Sequence, residues 1–175
     1  MIGQFDSALS DVLEAIRIRT GLSPSPPRLR DFETAIRKTM FRAGIAGAEA
    51  FARAIDEDEG IFDALVSELT VGETYFFREP AQFDLLRREA LPELMRNRHD
   101  GRLRVWSAGC ASGEEPYSLA ILLEQEGLAE RASILGTDLC RRALQSARDA
   151  SYGSWSLRNS PPDFAVRFFQ FVPVI

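Results

Sequence analysis

The sequence predicts an α/β protein in which a small helical N-terminal domain precedes part of a parallel sheet. Through the first seventy residues, apolar side chains recur at the spacing of amphipathic helices. Two apolar, strand-like segments follow, Leu103–Trp106 and Ala132–Thr137, with a helical segment between them. A loop of small residues joins the first strand to that helix, as it does where ligands bind at the carboxyl edge of a parallel sheet.

The N-terminal region is predicted to form four helices. The first ends before a loop over Gly21–Pro27, and the others are predicted over residues 31–43, 48–55 and 60–69. The residues predicted to face inward are apolar and helically spaced: Phe5, Leu9, Val12, Leu13, Ile16, Phe32, Ile36, Met40, Phe41, Ile61, Leu65, Val66 and Leu69.

The second predicted helix has a basic side. Arg30, Arg37, Lys38 and Arg42 lie near one face of it. Two interpretations stay open, a docking surface for an acidic partner and an ordinary solvated helix face.

Composition limits the remaining classes of protein. The 175-residue chain is 45% hydrophobic and 27% charged, which is enough for a real core. Its net charge of −5 argues against non-specific binding to nucleic acid or to an anionic membrane. No apolar run approaches the roughly 18 residues of a membrane span, and the first residues lack a signal-peptide pattern. The two cysteines, Cys110 and Cys140, suggest neither a disulfide framework nor a metal cluster, which favours a reduced cytoplasmic setting.

The loop after the first strand has almost no side-chain bulk. Gly109 and Gly113 can adopt positive φ and let a ligand approach the backbone, and Pro116 suits the first turn of the next helix. Cys110 in this loop is either a nucleophile or a small packing residue. Nothing in the sequence brings the only histidine, His99, beside it, which favours packing.

Glu114 and Glu115 stand at the start of that helix, where a phosphate would otherwise bind. Their charge would repel a pyrophosphate, and the spacing of Gly109 and Gly113 does not match G-x-G-x-x-G. A ligand with a cationic end fits better, and S-adenosylmethionine carries an ammonium and a sulfonium but no phosphate. The alternative is an acidic first turn that stabilises its own helix dipole.

Asp138 directly follows the second predicted strand. An acid at this point can accept hydrogen bonds from a ribose diol, or it can cap the helix predicted over Leu139–Ala147. A loop is then predicted over Tyr152–Ser160. A short helix from Pro161 to Phe168 and an apolar, strand-like end over Phe168–Ile175 follow.

The segment Thr70–Pro80 carries three consecutive aromatic residues, of which Phe76 and Phe77 are predicted to anchor it in the core. If the segment is helical, Thr70, Thr74 and Arg78 share one face. Arg78 is then either a buried bidentate partner for a carboxylate or an exposed residue that pairs with a neighbouring glutamate, Glu73 or Glu79.

The next helix is predicted over Pro80–Leu94, with a break at Pro92. Its apolar positions are Phe83, Leu85, Leu86, Leu91 and Leu94.

Three segments together resemble the chemotaxis receptor methyltransferases, the CheR family: V-W-S-A-G-C-A-S-G-E-E-P-Y-S-L-A, T-V-G-E-T-Y-F-F-R-E and I-L-G-T-D-L. The resemblance implies transfer of a methyl group from S-adenosylmethionine to glutamate side chains of chemoreceptors, with S-adenosylhomocysteine as product. It also implies a helical N-terminal domain, residues 1–69, and a partial class I methyltransferase domain with a Rossmann-like fold, residues 70–175. The implied partner is a methyl-accepting receptor, without nucleic acid binding or membrane insertion.

The resemblance also assigns site residues. Thr74 and Arg78 align with cofactor-contacting residues, and Arg78 is also the candidate catalytic residue. Glu115 aligns with the acidic cofactor ligand and Asp138 with the acid that binds the ribose. The full set of implied cofactor-binding residues is Gly72, Thr74, Arg78, Ala108, Gly109, Glu115 and Asp138. Basic residues of the family's N-terminal helices face the receptor, which assigns docking to Arg37, Lys38 and Arg42.

The implied chemistry needs no strong general base, because the attacking carboxylate is already ionised at neutral pH. Alignment of carboxylate, methyl group and sulfur is the main requirement. A nucleotide-dependent dehydrogenase is disfavoured by the glutamate pair at the helix start.

Only 37 residues follow Asp138 (175 − 138), too few for the remaining strands of a class I sheet. We therefore expect a fragment or a truncated form that binds cofactor weakly, methylates poorly and self-associates through its apolar tail. The alternative function is a non-catalytic module that docks a receptor or signalling partner.

Overall fold

The computed structural model describes residues 2–160 and 164–170. The described residues form two compact units. One contains residues 2–71 with 139–142, and the other contains residues 72–138 with the described part of 143–170.

Helices make up the first unit. They are α1 (Ile2–Thr20), α2 (Leu29–Ala43), α3 (Ala48–Glu57) and α4 (Glu59–Leu69), and a 3-10 turn, Pro26–Arg28, leads into α2. Helix α1 packs on α3, and α2 packs on α4. Gly44 ends α2 in the left-handed conformation, with its amide bonded to the last carbonyls of the helix. These bounds agree closely with the helices predicted from apolar spacing.

One core holds this unit together. Its buried members are Val12, Ile16, Phe32, Ala35, Ile36, Met40, Phe51, Ile55, Phe62, Leu65, Val66 and Leu69. The prediction that Phe41 faces inward is wrong, because its side chain is 87% exposed. Met40 occupies the inward position, and the next residue of a helix points about 100° away from it. Phe5 lies where side chains are outside the described residues.

The second unit places two parallel strands beside a helix. The elements are α5 (Pro80–Leu85), α6 (Leu91–Asn97), β1 (Leu103–Ala108), α7 (Glu114–Gln125), β2 (Ala132–Thr137), α8 (Arg141–Asp149) and α9 (Phe164–Phe168). Helix α8 extends across the boundary between the two groups of residues. Strands β1 and β2 pair in parallel from Leu103↔Ala132 to Ala108↔Thr137, and α7 connects them. The mixed helix and strand architecture with a small parallel sheet confirms the α/β prediction at this level.

Alternate residues of β1 face opposite ways. Leu103 and Ser107 are buried, and Leu103 packs with Leu122 and Leu123 of α7. Trp106 belongs to the apolar segment that the sequence predicts as a strand, but its side chain is 68% exposed. Successive side chains of a strand point to opposite faces, so Trp106 lies on the face opposite Ser107. The continuous apolar run in the sequence therefore includes both buried and exposed positions.

Residues 70–79 are not helical, which contradicts the conditional grouping of Thr70, Thr74 and Arg78 on one helix face. Phe77 and Glu79 have positive φ, 53° and 59°. Tertiary hydrogen bonds hold this path: the Phe76 amide donates to the Ser156 carbonyl at 2.9 Å.

The aromatic anchors are placed as predicted. Phe76 is fully buried, with its ring 5.0 Å from Tyr152 and 4.9 Å from Phe169. Phe77 is half-buried against Phe83 and Phe164.

Helical backbone continues past Pro92. A π-helical turn, Leu86–Ala90, joins α5 to α6, and the Leu91 amide bonds to the Leu86 carbonyl. The wider turn accommodates a proline that cannot donate a hydrogen bond of its own. The predicted apolar positions Leu85 and Leu94 are exposed, 55% and 45%.

Residues 154–160 form turns, which confirms the predicted loop. Helix α8 begins at Arg141 rather than Leu139. Helix α9 ends at Phe168, as predicted for the short helix in this region. Pro161, Pro162 and residues 171–175 lie outside the described residues, so the predicted strand-like end stays a prediction. Among the described helices, none is long and apolar enough to cross a membrane.

Candidate functional site

The loop after β1 folds over the carboxyl ends of both strands. The amides of Gly109 and Cys110 both donate to the Thr137 carbonyl, at 2.8 and 2.9 Å. Gly109 and Gly113 adopt φ values of 74° and 96°, as the sequence suggested for a tight loop. Apart from its two chain neighbours, no described residue has a heavy atom within 4 Å of the place where a Cβ of Gly109 would be. The backbone is therefore open to a ligand at this point.

Asp138 secures the same loop from the end of β2. Its carboxylate accepts a hydrogen bond from the Ala111 amide at 2.9 Å. A Cβ on Gly72 would lie 3.8 Å from the Ala111 Cβ, so Gly72 passes beside the same residue. Because α8 begins at Arg141, the residue before its first turn is Cys140, and Asp138 is not its N-cap by position.

The two adjacent glutamates have different environments. Glu114 is 3% exposed, and its carboxylate accepts hydrogen bonds from the hydroxyls of Ser112 (2.7 Å) and Ser156 (2.8 Å). Glu115 is exposed. The Ser107 hydroxyl, itself 1% exposed, donates to the Glu115 carboxylate at 2.6 Å. Glu114 is thus a satisfied buried acid, and Glu115 is an oriented acid that faces solvent.

A small cleft contains Glu115 and several other predicted residues. Its lining is Glu73, Thr74, Tyr75, Arg78, Phe83, Gly109 and Glu115. Four of the predicted cofactor-binding residues, Thr74, Arg78, Gly109 and Glu115, therefore meet in one place. Ala108 is exposed at the end of β1 and directly precedes Gly109, which lines the cleft. Gly72 and Asp138 both lie close to Ala111.

Arg78 is not a buried partner of a carboxylate. Its side chain is exposed, and one guanidinium nitrogen donates to the Glu73 backbone carbonyl at 2.6 Å. This bond holds the Arg78 guanidinium at the cleft. The exposed alternative is therefore the correct one, with a backbone carbonyl in place of the expected carboxylate.

Three supporting residues were missed in the sequence. Ser107 orients Glu115, and Ser118 accepts from the Phe77 amide (2.9 Å) while it donates to the Glu114 carbonyl (2.6 Å). Arg158 stacks on Tyr75, with 3.8 Å from its guanidinium carbon to the ring centre. Small hydroxyl residues before and after the glutamate pair were the available signal for the two serines. Arg158 is distant in sequence and gave none.

The structure favours packing over nucleophilic chemistry for Cys110. The side chain is 2% exposed. Burial raises the pKa of its thiol, and the nearby carboxylate of Asp138 raises it further. A higher pKa reduces the thiolate fraction on which nucleophilicity depends.

These residues fit a cationic, phosphate-free ligand such as S-adenosylmethionine. The open backbone at Gly109 admits a flat or extended group, and the exposed carboxylate of Glu115 provides a counter-charge. The carboxylate of Asp138, a group with about four acceptor sites, accepts the Ala111 amide at the same sheet edge. Glu115, Asp138 and the loop between the strands are thus chemically suited to hold the group.

The predicted docking residues lie on α2 in the first unit. Lys38 and Arg42 both pair with Glu68 of α4, at 2.6 and 2.5 Å, while their side chains stay about half exposed. Arg37 is exposed on the same helix. The basic side is therefore partly neutralised within the unit.

Comparisons with known proteins agree with this site. The family model described as CheR methyltransferase, SAM binding domain, matches residues 72–172. A chemotaxis protein methyltransferase of Borreliella burgdorferi is 35% identical over 111 residues, covering 59% of this chain and 39% of that protein. Chemotaxis protein methyltransferase 1 of Pseudomonas aeruginosa is 32% identical over 142 residues, covering 77% of this chain and 52% of that protein.

The aligned region spans about two fifths to one half of the length of these relatives. The matched domain is one that binds S-adenosylmethionine, the cofactor that the glutamate pair favoured. Because the family model covers more than half of the sequence, this chain belongs to the CheR methyltransferase family.

Proposed function

We propose that this chain provides the cofactor-binding part of a methyltransferase that esterifies glutamate side chains of chemotaxis receptors. The observation that carries the proposal is the exposed Glu115 carboxylate, oriented by buried Ser107 beside the open backbone of Gly109. Relatives that share this region are chemotaxis protein methyltransferases. When bound, S-adenosylmethionine supplies an activated methyl group.

Each predicted residue has a role under this proposal. Glu115 binds the ammonium group, and Asp138 accepts hydrogen bonds from the ribose diol. Thr74 contributes a hydroxyl to the cleft. The set that allows close backbone approach is Gly72, Ala108 and Gly109.

Arg78 is the positive group of the cleft and the candidate catalytic residue. Its backbone anchor at the Glu73 carbonyl leaves a guanidinium with further N–H donors to bind a carboxylate. A substrate glutamate is already ionised at neutral pH, so Arg78 acts by orienting it rather than by removing a proton.

We further propose that residues 1–69 form the receptor-facing domain and residues 70–175 the methyltransferase part. Arg37, Lys38 and Arg42 would contact acidic receptor segments, exchanging their pairing with Glu68 for the partner's carboxylates. Such exchange is inexpensive because exposed ion pairs contribute only about 0–1 kcal/mol each. Receptor glutamates that face the cytoplasm would place the protein in that compartment.

Calorimetric titration with S-adenosylhomocysteine tests the proposal. We expect saturable binding by the chain and at least tenfold weaker binding by Glu115→Gln, since the substitution removes the counter-charge but keeps the shape. Glu124→Gln is the matched control, because Glu124 is exposed on the same helix outside the cleft. A folded chain that does not bind would contradict the proposal for this chain and favour the docking-module alternative.

A second assay addresses the substrate. Incubation of the chain with a labelled methyl donor and a receptor cytoplasmic fragment should give base-labile methyl esters at a low rate, and Arg78→Ala should abolish them. Label that is stable to base would indicate another acceptor atom.

A further inference from the structure

A basic pocket lies at the amino ends of β1 and β2, the edge of the sheet opposite the Gly109 loop. Four arginines line it: Arg98, Arg102, Arg104 and Arg131. Asp100 and Glu130 are the acidic residues of the same lining. The pocket therefore has an excess of two positive charges on a chain whose net charge is −5.

No ion pair joins these four guanidinium groups to a carboxylate within residues 2–160 and 164–170. Arg98 donates only to a backbone oxygen, the Arg102 carbonyl, at 3.1 Å. Elsewhere in the described chain, arginines such as Arg87 and Arg158 do pair with carboxylates. Like charges at one site repel each other, so a bound anion would relieve a repulsion that Asp100 and Glu130 neutralise only in part.

The turn before β1, at Gly101, lies against the side chain of Arg131. Gly101 has a φ of 58°, and a Cβ at this position would collide with the Arg131 guanidinium. The Arg102 amide donates to the Asp100 side chain at 3.1 Å, which fixes the turn. The Arg131 guanidinium thus rests against the bare backbone of Gly101, and a side chain at residue 101 would make it move.

From this arrangement we infer that the pocket binds a compact phosphate-bearing anion. Guanidinium groups match the geometry of phosphate oxygens in pairs of parallel hydrogen bonds. The four arginines line one concavity at the starts of the two strands, and only Arg98 and Arg104 also line the adjoining cavity beside Trp106. Because all four meet only in the first concavity, a compact anion fits better there than an acidic peptide. The pocket shares no residue with the cofactor cleft, so its ligand is separate from the methyl donor.

Titration with inorganic pyrophosphate tests this inference. We expect saturable binding to the chain and at least tenfold weaker binding to the double variant Arg104→Gln, Arg131→Gln. Both side chains are exposed, so the double variant should keep the circular dichroism spectrum and thermal midpoint of the parent. Arg148→Gln is the control, since it removes one positive charge from an exposed helix position of the same unit outside the pocket. It should bind as the parent does.

Vesicles that contain phosphatidic acid distinguish the source of the phosphate. Vesicle binding that pyrophosphate displaces would identify a lipid headgroup in the same site, and pyrophosphate binding without vesicle binding would identify a free phosphoanion. The inference is overturned if pyrophosphate does not bind saturably, or binds the double variant as tightly as the parent. It is equally overturned if a polyglutamate peptide binds in preference to pyrophosphate. S-adenosylhomocysteine affinity should stay unchanged in the double variant.

Discussion

Glu114 and Glu115 are adjacent in sequence but lie in opposite surroundings. In the first turn of α7, a rotation of about 100° separates consecutive side chains. Glu114 turns inward to the hydroxyls of Ser112 and Ser156, and Glu115 turns to the cleft. Both carboxylates also favour the positive end of the helix dipole. One residue therefore stabilises the loop, while the other is available to a ligand.

These different surroundings predict that alanine at Glu114 mainly lowers stability, whereas alanine at Glu115 mainly weakens ligand binding. Glu114→Ala should lower the free energy of unfolding by about 2–3 kcal/mol, because two half-buried hydroxyls lose a charged acceptor. Glu115→Ala should lower it less, by about 1–2 kcal/mol, because only the Ser107 hydroxyl loses its acceptor. The same variant should weaken S-adenosylhomocysteine binding at least tenfold. Urea unfolding and calorimetric titration of both variants measure the two effects. Equal losses of stability would contradict the assignment.

For these residues, the sequence predicted where the acids lie, but it did not predict which glutamate is buried. Glu115 and Asp138 could be predicted because a strand end and a helix start are local features. The bond from Ser156 to Glu114 joins residues 42 positions apart, and no local pattern encodes it. The same holds for Arg158, whose ring contact with Tyr75 depends on how distant turns meet.

Gly113, which precedes α7, has no room for a side chain. A Cβ on Gly113 would lie 2.8 Å from the Ala147 Cβ and 2.9 Å from the Tyr152 hydroxyl. Burial raises the pKa of the Tyr152 phenol, which keeps the hydroxyl protonated as it donates to the Ser112 carbonyl at 2.8 Å. The loop therefore depends on glycine for both conformation and space.

We expect Gly113→Ala to lower the free energy of unfolding by about 2–4 kcal/mol, from left-handed strain and overpacking together. Gly153→Ala is the matched control, because among the residues that the structure describes only its chain neighbours come within 4 Å of its Cβ position. Thermal and urea unfolding should show little change for the control. Similar losses in both variants would indicate a general effect of removing glycine from this unit.

The pairing between α2 and α4 predicts a dependence on pH. Hydrogen bonding to Lys38, with the added charge of Arg42, lowers the pKa of the Glu68 carboxyl below its usual range. The unfolded chain therefore binds this proton more readily. The resulting stability is complete above the ordinary carboxyl range and is lost as the pH falls through the lowered pKa.

Glu68→Gln should lower stability by at most about 1 kcal/mol at pH 7, because both cations are largely exposed. Its difference from the parent should shrink toward zero below pH ~3. Glu57→Gln, at an exposed position without an ion pair among the described residues, is the control. Urea unfolding across pH 3–8 measures both. A difference that is constant with pH would contradict the ion-pair explanation.

Whole elements were predicted well where the pattern was periodic. Helices α1 to α4 and both strands have apolar spacing that local physics translates directly into structure. The segment 70–79 was ambiguous because its aromatic residues satisfy either a helix or a turn. Its hydrogen bonds to Ser118 and Ser156 select the irregular path.

At the scale of the molecule, the residues that the structure describes form two hydrophobic cores. Phe51 belongs to the core of the helical unit, and Leu122 belongs to the core beside the sheet. The proposed cofactor residues all lie in the second unit, whereas the proposed docking residues all lie in the first. A substitution that destabilises one core should therefore increase local unfolding mainly in the unit that contains that core.

Phe51→Ala should remove about 3–5 kcal/mol of stability from the helical unit, as expected for a fully buried aromatic side chain. Hydrogen exchange measured peptide by peptide should speed up in α1–α4. Peptides from β1, β2 and α7 should keep most of their protection. Equal acceleration in both units would show that the two cores unfold as one.

The sequence by itself determined the α/β class, the helical start, the acids at the edge of the sheet and the resemblance to the family. Each of these depends on neighbours within a few residues, which a linear pattern records. Only the tertiary structure decided which glutamate is buried, that Arg78 is exposed and that Trp106 leaves the core. These outcomes follow from burial and hydrogen bonding between residues far apart in the chain, because such contacts choose among conformations that local sequence leaves nearly equal.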